Sequence, residues 1–413
     1  MVSANSATTD QITSALAGVR VVDMSTVVMG PFAAQIMGDL GADVIKVEPP
    51  DGESTRRLHP QRHPGMSALA MNVNRNKRSL GVNLKDPRGR EILLKLLENT
   101  DILVTNMRSG ALQRLNLDHH QIADRFPRLI YCHAQGFRSD SVLANRAAYD
   151  EIVQAASGLS DLMRRVTGRP YYVPTVLGDK LCSLTTVYSA LAALHSRDRT
   201  GRGQLVEVPM TDTLLAFNLV EHMEGLTFEP PLGPIGFSRS VTPTHRAVAT
   251  KDGWACILPY SVRNIQDFLV FIGRPDLAED PRFTTPAGLV QHQAELYELI
   301  EETAVRATTA EWERFCAEHS IPFAPLLDIE KVTEDPYVTE GELIQVAEHP
   351  TEGAYRVVRP PVRFSATPAT IRRHCPRPGE QSAEVLSEIG YPAEAIRDLV
   401  ARGVVGAELV DVL

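Results

Sequence analysis

VRVVDMSTVVMGPFAAQIMGDLGADVIKVE, residues 19–48, is the stretch on which the fold turns. Two β-branched runs, VRVVDMS at 19–25 and ADVIKVE at 42–48, flank a helical pattern at 31–40. A strand covered on both faces has no solvent side and reads as a nearly continuous apolar run; such runs alternating with helices predict a parallel sheet between helical layers. Further strands are expected at 80–84, 101–105, 129–133 and 205–210, each a short run without helical period. Ahead of the second of these, Asp86-Pro87 supplies an N-cap and a first helical position, and Ile92, Leu93, Leu96 and Leu97 then recur at helical spacing. The fold class is therefore α/β, with a Rossmann-like large domain on a parallel sheet.

Downstream the pattern changes. Near Thr227, FEPPLGPIG places three prolines and two glycines in nine residues, enough to break any regular element. Beyond it, HRAVATKDGWACILPY reads as a hairpin turning at Lys251-Asp252-Gly253. Amphipathic helices follow around 262–272, 294–306 and 309–319. The expected organisation is a large domain over 1–226, a smaller α+β domain over 227–335, and a return segment over 336–413 completing the first. In that segment YRVVRPPVRF reads as a strand, and 382–401 as a closing helical tail.

Composition narrows the function. Lys+Arg total 42 against Asp+Glu 51, a net charge of −9, and the basic residues are scattered, which argues against nucleic acid. Cys132, Cys182, Cys256, Cys316 and Cys375 are odd in number and far apart, fitting neither a disulfide framework nor a zinc site. They read as reduced thiols. The first fifteen residues are polar, and no stretch reaches the apolar length of a membrane span, so a cytoplasmic protein is expected. There is no GxGxxG after the first strand, no Walker motif, no HExxH and no GxSxG.

The chemistry must therefore lie in less overt places. Gly178-Asp179 stands immediately before a helix expected over 180–195. A carboxylate there can accept first-turn N–H groups and feels the positive end of the helix dipole, so its ionised form should be favoured. Two readings stand side by side: Asp179 caps its helix, or it is an anion poised for chemistry. Gly178 has no Cβ and lets another group come close, although an ordinary turn also uses glycine. Thr200-Gly201-Arg202-Gly203 is accounted for by a helix C-cap and turn. The run NRNKRSLGVNLKDP, and Asn106-Met107-Arg108 with Arg114, carry cations at or near the C-terminal ends of strands. Open α/β sheets bind ligands at that edge. Tyr149-Asp150 opens another helical pattern as a staple and cap. His119, His120 and His133 have no metal partner at useful spacing, and no metal site is expected.

Taken together, the motifs resemble the family III CoA-transferases, the group that includes formyl-CoA transferase, carnitine CoA-transferase and the divergent α-methylacyl-CoA racemase. The resemblance runs from LAGVRVVDMSTVVMGPFAAQIMGDLGADVIKVEPP through NRNKRSLGVNLKDPRGREILLKLLENTDILVTNM to the GD pair, RTGRGQLVEVPMTD, PFAPLLDIEKVTEDP and PVRFS. It implies that Asp179 is the catalytic aspartate, acylated by the donor thioester. It implies CoA contacts from Val28, Met29, Val82, Leu84, Lys85, Asn106, Met107, Arg108, Arg114, Tyr149 and Asp150, with Lys85 and Arg114 on phosphates. Coenzyme A and acyl-CoA are then substrates, a carboxylic acid is the acceptor, no cofactor is tightly bound, and the chain forms an interlocked homodimer. Three departures stand out. Pro49 replaces an arginine of formyl-CoA transferase, Val28 replaces a glutamine, and PLGPIG is the only candidate for its glycine-rich loop, which argues against formate and oxalate as the natural pair. Tyr149 replaces the histidine of the racemases, and tyrosine is a poor base near neutral pH. A CoA-binding protein without turnover is the non-enzymatic alternative.

Overall fold

Strands β1 (Arg20–Met24), β2 (Asp43–Glu48), β3 (Lys77–Gly81), β4 (Ile102–Thr105), β5 (Ile130–Gln135) and β6 (Leu205–Pro209) form one sheet in the order β3-β2-β1-β4-β5-β6. All five pairings are parallel. The order reverses between β1 and β4, the position where doubly wound sheets open a ligand crevice. The computed structural model describes residues 14–406.

Strand alternation sorts the core into two layers. Val21, Val44, Ile102, Val104, Ile130 and Cys132 pack with Ala33, Ala34 and Met37 of helix α1 (Met29–Asp39). Val187, Ala190 and Ala193, from a long helix at Leu177–Thr200, complete that layer. On the opposite face, Val22, Ile45, Val47, Leu80, Leu103 and Tyr131 meet Ile92, Leu93, Leu96 and Leu97 of helix α2 (Pro87–Leu97). The same layer holds Val385, Leu386, Ile396 and Leu399, so the closing segment does pack on the sheet. Its two helices are Ser382–Glu388 and Ala393–Ala401. As the motif suggests, Asp86 caps α2, its carboxylate accepting the Arg88 N–H, with Pro87 at the first turn.

The third strand lies earlier than its apolar content suggests. Lys77 and Arg78 are inside β3 and buried, because each cation is matched. The Lys77 ammonium donates to Asp23 Oδ2 (2.7 Å), Pro31 O (2.8 Å) and Asn74 Oδ1 (2.8 Å). Lys46 donates to Ser25 O at 3.0 Å and lies 3.6 Å from the same Asp23 oxygen. Arg78 pairs with Asp43, Glu384 and Glu388, and Arg75 with Asp39. A buried charge costs several kcal/mol unless paired and hydrogen-bonded, and here each is. The basic run at 75–78 thus holds the sheet together and is not a phosphate cradle. Lys85 alone of its cations stays exposed and unpaired among the described residues.

The chain divides by contact into two units: residues up to Ser157, Pro174–Phe217 and from Thr339 onward form the larger, and Gly158–Val173 with Asn218–Val338 the smaller. One division falls within the helix Met210–His222. The smaller unit carries a three-stranded antiparallel sheet, β7 (Val248–Ala249), β8 (Trp254–Ile257) and β9 (Phe323–Pro325), in that order. Its first two strands form the hairpin expected around Lys251-Asp252-Gly253, pairing Val248 with Ala255 and Ala249 with Trp254. Helices Val262–Phe271, Gln293–Ala304 and Thr309–Glu318 pack Phe268, Ile300, Trp312 and Phe315 against it. In the larger unit β10 (Ile344–His349) and β11 (Gly353–Val358) make a second antiparallel hairpin.

Candidate active site

Two helix starts meet around Asp179. Helix α3 (Asp150–Ala156) begins at Asp150, and helix α4 (Leu177–Thr200) places Asp179 in its first turn. Helix α4 thus begins three residues earlier than its apolar pattern suggests, and no side chain of its N-cap residue, Val176, bonds the first turn. The capping is done from outside. Asp150 Oδ1 accepts the Asp179 backbone N–H at 2.9 Å, and Oδ2 accepts the Gln154 amide at 2.6 Å. Gln154 also donates to Thr175 O at 3.3 Å, tying the approach to α4 back to α3. Asp150 is 3% exposed, so its charge is committed to these bonds. It caps the neighbouring helix and not its own, contrary to the local reading of Tyr149-Asp150.

Gly178 permits this approach. A Cβ built on it meets Asp150 Oδ1 at 3.0 Å and Val153 Cγ1 at 3.3 Å, tighter than side chains accept without movement. Its role in the structure is to let α3 and α4 close together.

The Asp179 carboxylate is released from capping, since the helix starts at Leu177 and Asp179 lies inside its first turn, with its own amide held by Asp150. It is partly buried, and its side chain takes no hydrogen bond among the described residues. Burial, followed by the charges of Asp150 and Glu151, raises its pKa from 3.8 to about 7. The expectation of a favoured anion is therefore corrected: desolvation and a like-charged neighbour outweigh the helix dipole. Near neutrality the carboxyl is divided between its two forms, and as an anion it is a stronger nucleophile than a surface aspartate.

The turn after β1 comes to the same place. Ser183, one turn beyond Asp179, donates its hydroxyl to Met29 O and Asp179 O, both at 2.7 Å. Asn106, at the end of β4, clamps Thr26 from both sides, accepting its N–H at 2.9 Å and donating to its carbonyl at 2.8 Å. Val27, the next residue, has φ +68°, an unusual backbone conformation for a β-branched residue. Val28 and Met29 have buried side chains and offer a ligand only their backbone.

The remaining named residues are spread along the sheet's C-terminal edge. Val82 is fully buried, bridged to Val405, which leaves its side chain no ligand role. Leu84 and Met107 rest partly buried on one core layer. Lys85, Arg108 and Arg114 are exposed, and none of the three pairs with a carboxylate among the described residues. Tyr149 is 67% exposed, its ring free to meet a ligand. The structure thus joins Asp179 to Asp150 directly and to Met29 through Ser183, while among the described residues no hydrogen bond or ion pair links Lys85 to Arg114. Gln154 and Ser183 escape a motif search; their signal is the four-residue spacing from Asp150 and Asp179, which puts each pair on one helix face. Gly201 is the C-cap of α4, with φ +74° and its N–H on Arg197 O. Among the described residues no group of three His, Cys, Asp or Glu side chains is arranged to hold a metal, and no helix is long and apolar enough to cross a membrane.

The family model for CoA-transferase family III matches residues 16–382. The chain belongs to CoA-transferase family III. It is 32% identical over 415 residues to formyl-CoA:oxalate CoA-transferase of Streptomyces avermitilis, covering 95% of this chain and 100% of that one. It is 31% identical over 395 residues to succinyl-CoA:glutarate CoA-transferase of Mus musculus, covering 94% and 90%. A crystal structure of a CAIB/BAIF family protein from Brucella suis superposes with a TM-score of 0.78 at 27% identity, covering 91% of this chain and 100% of that one. The family resemblance seen in the motifs is thereby established, and the protein is a family III acyl-CoA:carboxylate CoA-transferase.

Proposed function

We propose that this family III enzyme carries CoA between carboxylic acids through covalent adducts on Asp179. The observation that supports this most directly is the Asp179 carboxylate itself: partly buried, unbonded, and with its own amide held by Asp150. In the first step an Asp179 oxygen attacks the donor thioester carbonyl, the C–S bond breaks, and CoA thiolate leaves a mixed anhydride. The thiolate then attacks the aspartyl carbonyl of that anhydride, giving aspartyl-CoA thioester and the free donor carboxylate. An acceptor carboxylate repeats the exchange in reverse: it displaces thiolate to form a new anhydride, and the thiolate takes the acceptor acyl group, restoring Asp179. Each step conserves the activated acyl bond provided water is kept out.

Of the first-turn amides of α4, those of Leu177, Asp179 and Lys180 are engaged by Thr175 O, Asp150 and Val176 O. The Gly178 N–H has no partner among the described residues and is the donor we assign to the oxyanion. CoA is held along the sheet edge by Met29, Leu84, Lys85, Asn106, Met107, Arg108, Arg114 and Tyr149, the exposed cations meeting its phosphates. The enzyme acts in the cytoplasm as an interlocked homodimer, which sedimentation tests directly: a monomer at assay concentrations contradicts it. For the chemistry, the protein is incubated with acyl-CoA and quenched with hydroxylamine. Peptide mapping should find a hydroxamate at position 179 that Asp179→Asn does not form. Full turnover without any adduct at Asp179 would overturn the covalent route.

A further inference from the structure

Beneath the turn that joins β1 to α1, two ammoniums share one carboxylate. Lys46 on β2, Lys77 on β3 and Asp23 near the end of β1 are all fully buried. Burial acts to raise the Asp23 pKa, but the two cations outweigh it and bring it to about 2, so the carboxylate is an anion at any working pH. Its direct partner is Lys77, at 2.7 Å. Lys46 stands off at 3.6 Å, and its hydrogen bond goes to Ser25 O at 3.0 Å. Glu48, two residues along the same strand, supplies no spare anion, because Arg56 already holds both its oxygens at 2.6 and 2.7 Å. Burial, with the Lys46 charge beside it, brings the Lys77 pKa down from 10.5 to about 8 even against the pull of Asp23. Exchanging a surplus buried ion for an apolar side chain of similar volume is often neutral or stabilising, so stability alone gives no reason for a lysine at 46.

What Lys46 does hold is the backbone of the turn. While Lys46 donates to Ser25 O, the Ser25 hydroxyl and N–H donate to Asp23 Oδ1, the N–H at 3.1 Å. A Cβ built on Gly30 would come within 2.2 Å of Ser25 Oγ, so the start of α1 folds directly onto the residue that Lys46 fixes. Farther along, the Val27 N–H donates to the buried Glu53 at 3.4 Å, and Pro31 O accepts from Lys77 at 2.8 Å. At Met29 the Ser183 hydroxyl reaches both this turn and Asp179 O, so turn and nucleophile meet at one side chain. We propose that Lys46 is a positioning residue for the transfer reaction: its ammonium fixes Ser25 O and through it sets the turn Ser25–Met29 against Asp179. The assignment rests on the reading that Asp179 is the nucleophile and that the Met29 segment meets CoA. Misplacing reacting groups by about 1 Å costs on the order of a hundredfold in rate, which is the effect such a residue prevents.

The test compares kinetics with stability in the full-length protein. Lys46→Met keeps the volume and removes the donor. Its urea midpoint should match that of wild type and its KM for acyl-CoA should change by less than about twofold, while kcat falls about ten- to a hundredfold. Lys46→Gln, neutral but still carrying an N–H donor, should lie between the two in kcat and serves if the methionine variant does not fold. Arg75 is the control: it is a buried cation paired with Asp39 and bonded to Val358 O, and its side chain holds no group of the turn. Arg75→Met should lower the urea midpoint and leave the kcat of the folded enzyme unchanged. Wild-type kcat in Lys46→Met would overturn the assignment. So would a loss of activity no larger than the loss of folded protein, or failure of both Lys46 variants to fold, since each makes the residue structural only. Hydroxylamine trapping on wild type decides the underlying reading separately. Turnover without an adduct at Asp179 refutes the covalent route, while a fall in kcat at constant stability still establishes the role of Lys46.

Discussion

Replacing Asp150 with asparagine tests how the site tunes its nucleophile. The variant keeps an oxygen for the Asp179 N–H and, with the Gln154 amide turned over at the expense of its 3.3 Å bond to Thr175 O, keeps the contact with Gln154, while one negative charge disappears. Of the rise from 3.8 to about 7 at Asp179, burial is the largest part, Asp150 the next and Glu151 the least. Removing the Asp150 charge should therefore lower the Asp179 pKa by about one unit, or 1.4 kcal/mol. If the anion is the nucleophile, rate climbs with pH through that pKa. At pH 6 a group of pKa 7 is about one-tenth ionised and a group of pKa 6 about half, so the variant's activity relative to wild type should be about fivefold higher at pH 6 than at pH 8.5. The assay is kcat/KM for a fixed acyl-CoA donor from pH 5 to 9, followed by thioester chromatography. An acid limb that stays in place, or moves upward, refutes this account of the pair.

Asp179→Asn should stabilise the fold as it abolishes chemistry. A carboxyl whose folded pKa lies above its unfolded value binds more protons when folded, so its stabilisation is present at low pH and is lost as pH rises from about 4 to 7. The variant should thus unfold about 1–2 kcal/mol later than wild type at pH 8 and about equally at pH 4, measured by urea titration. Gly178→Ala presses a methyl on Asp150 and Val153; activity should fall about tenfold or more for roughly 1 kcal/mol of stability, read from kcat and melting curves. Lys77→Met leaves the buried Asp23 one cation short and should cost about 3–5 kcal/mol by denaturant unfolding.

The alternation of apolar runs made the parallel sheet legible, because strands such as Val21–Val22 and Val44–Ile45 carry their burial in their composition. Position 77 shows where that reading ends: a lysine is placed in a buried strand only by partners at Asp23, Pro31 and Asn74, which local pattern does not reveal. The same holds at the site. The GD pair marks Asp179 as notable, but whether it caps its helix is decided by Asp150, 29 residues earlier, whose carboxylate takes the amide. The sign of the pKa shift follows first from burial of Asp179 and then from the Asp150 charge, so helix position alone pointed the wrong way.

The closing helices have a consequence for biosynthesis. Residues from Ser382 onward cover the sheet face that β1, β2 and β3 expose, and Gln381 and Ser382 bond the backbone of Ser79 and Gly81. The 300 residues from Val82 to Ser382 take roughly 15–60 s to emerge from a ribosome. For that interval the nascent chain carries Val22, Ile45, Val47 and Leu80 without their C-terminal cover. A chain stalled before residue 381 should therefore depend on chaperones, aggregate and be degraded, even though Asp150 and Asp179 have already been made.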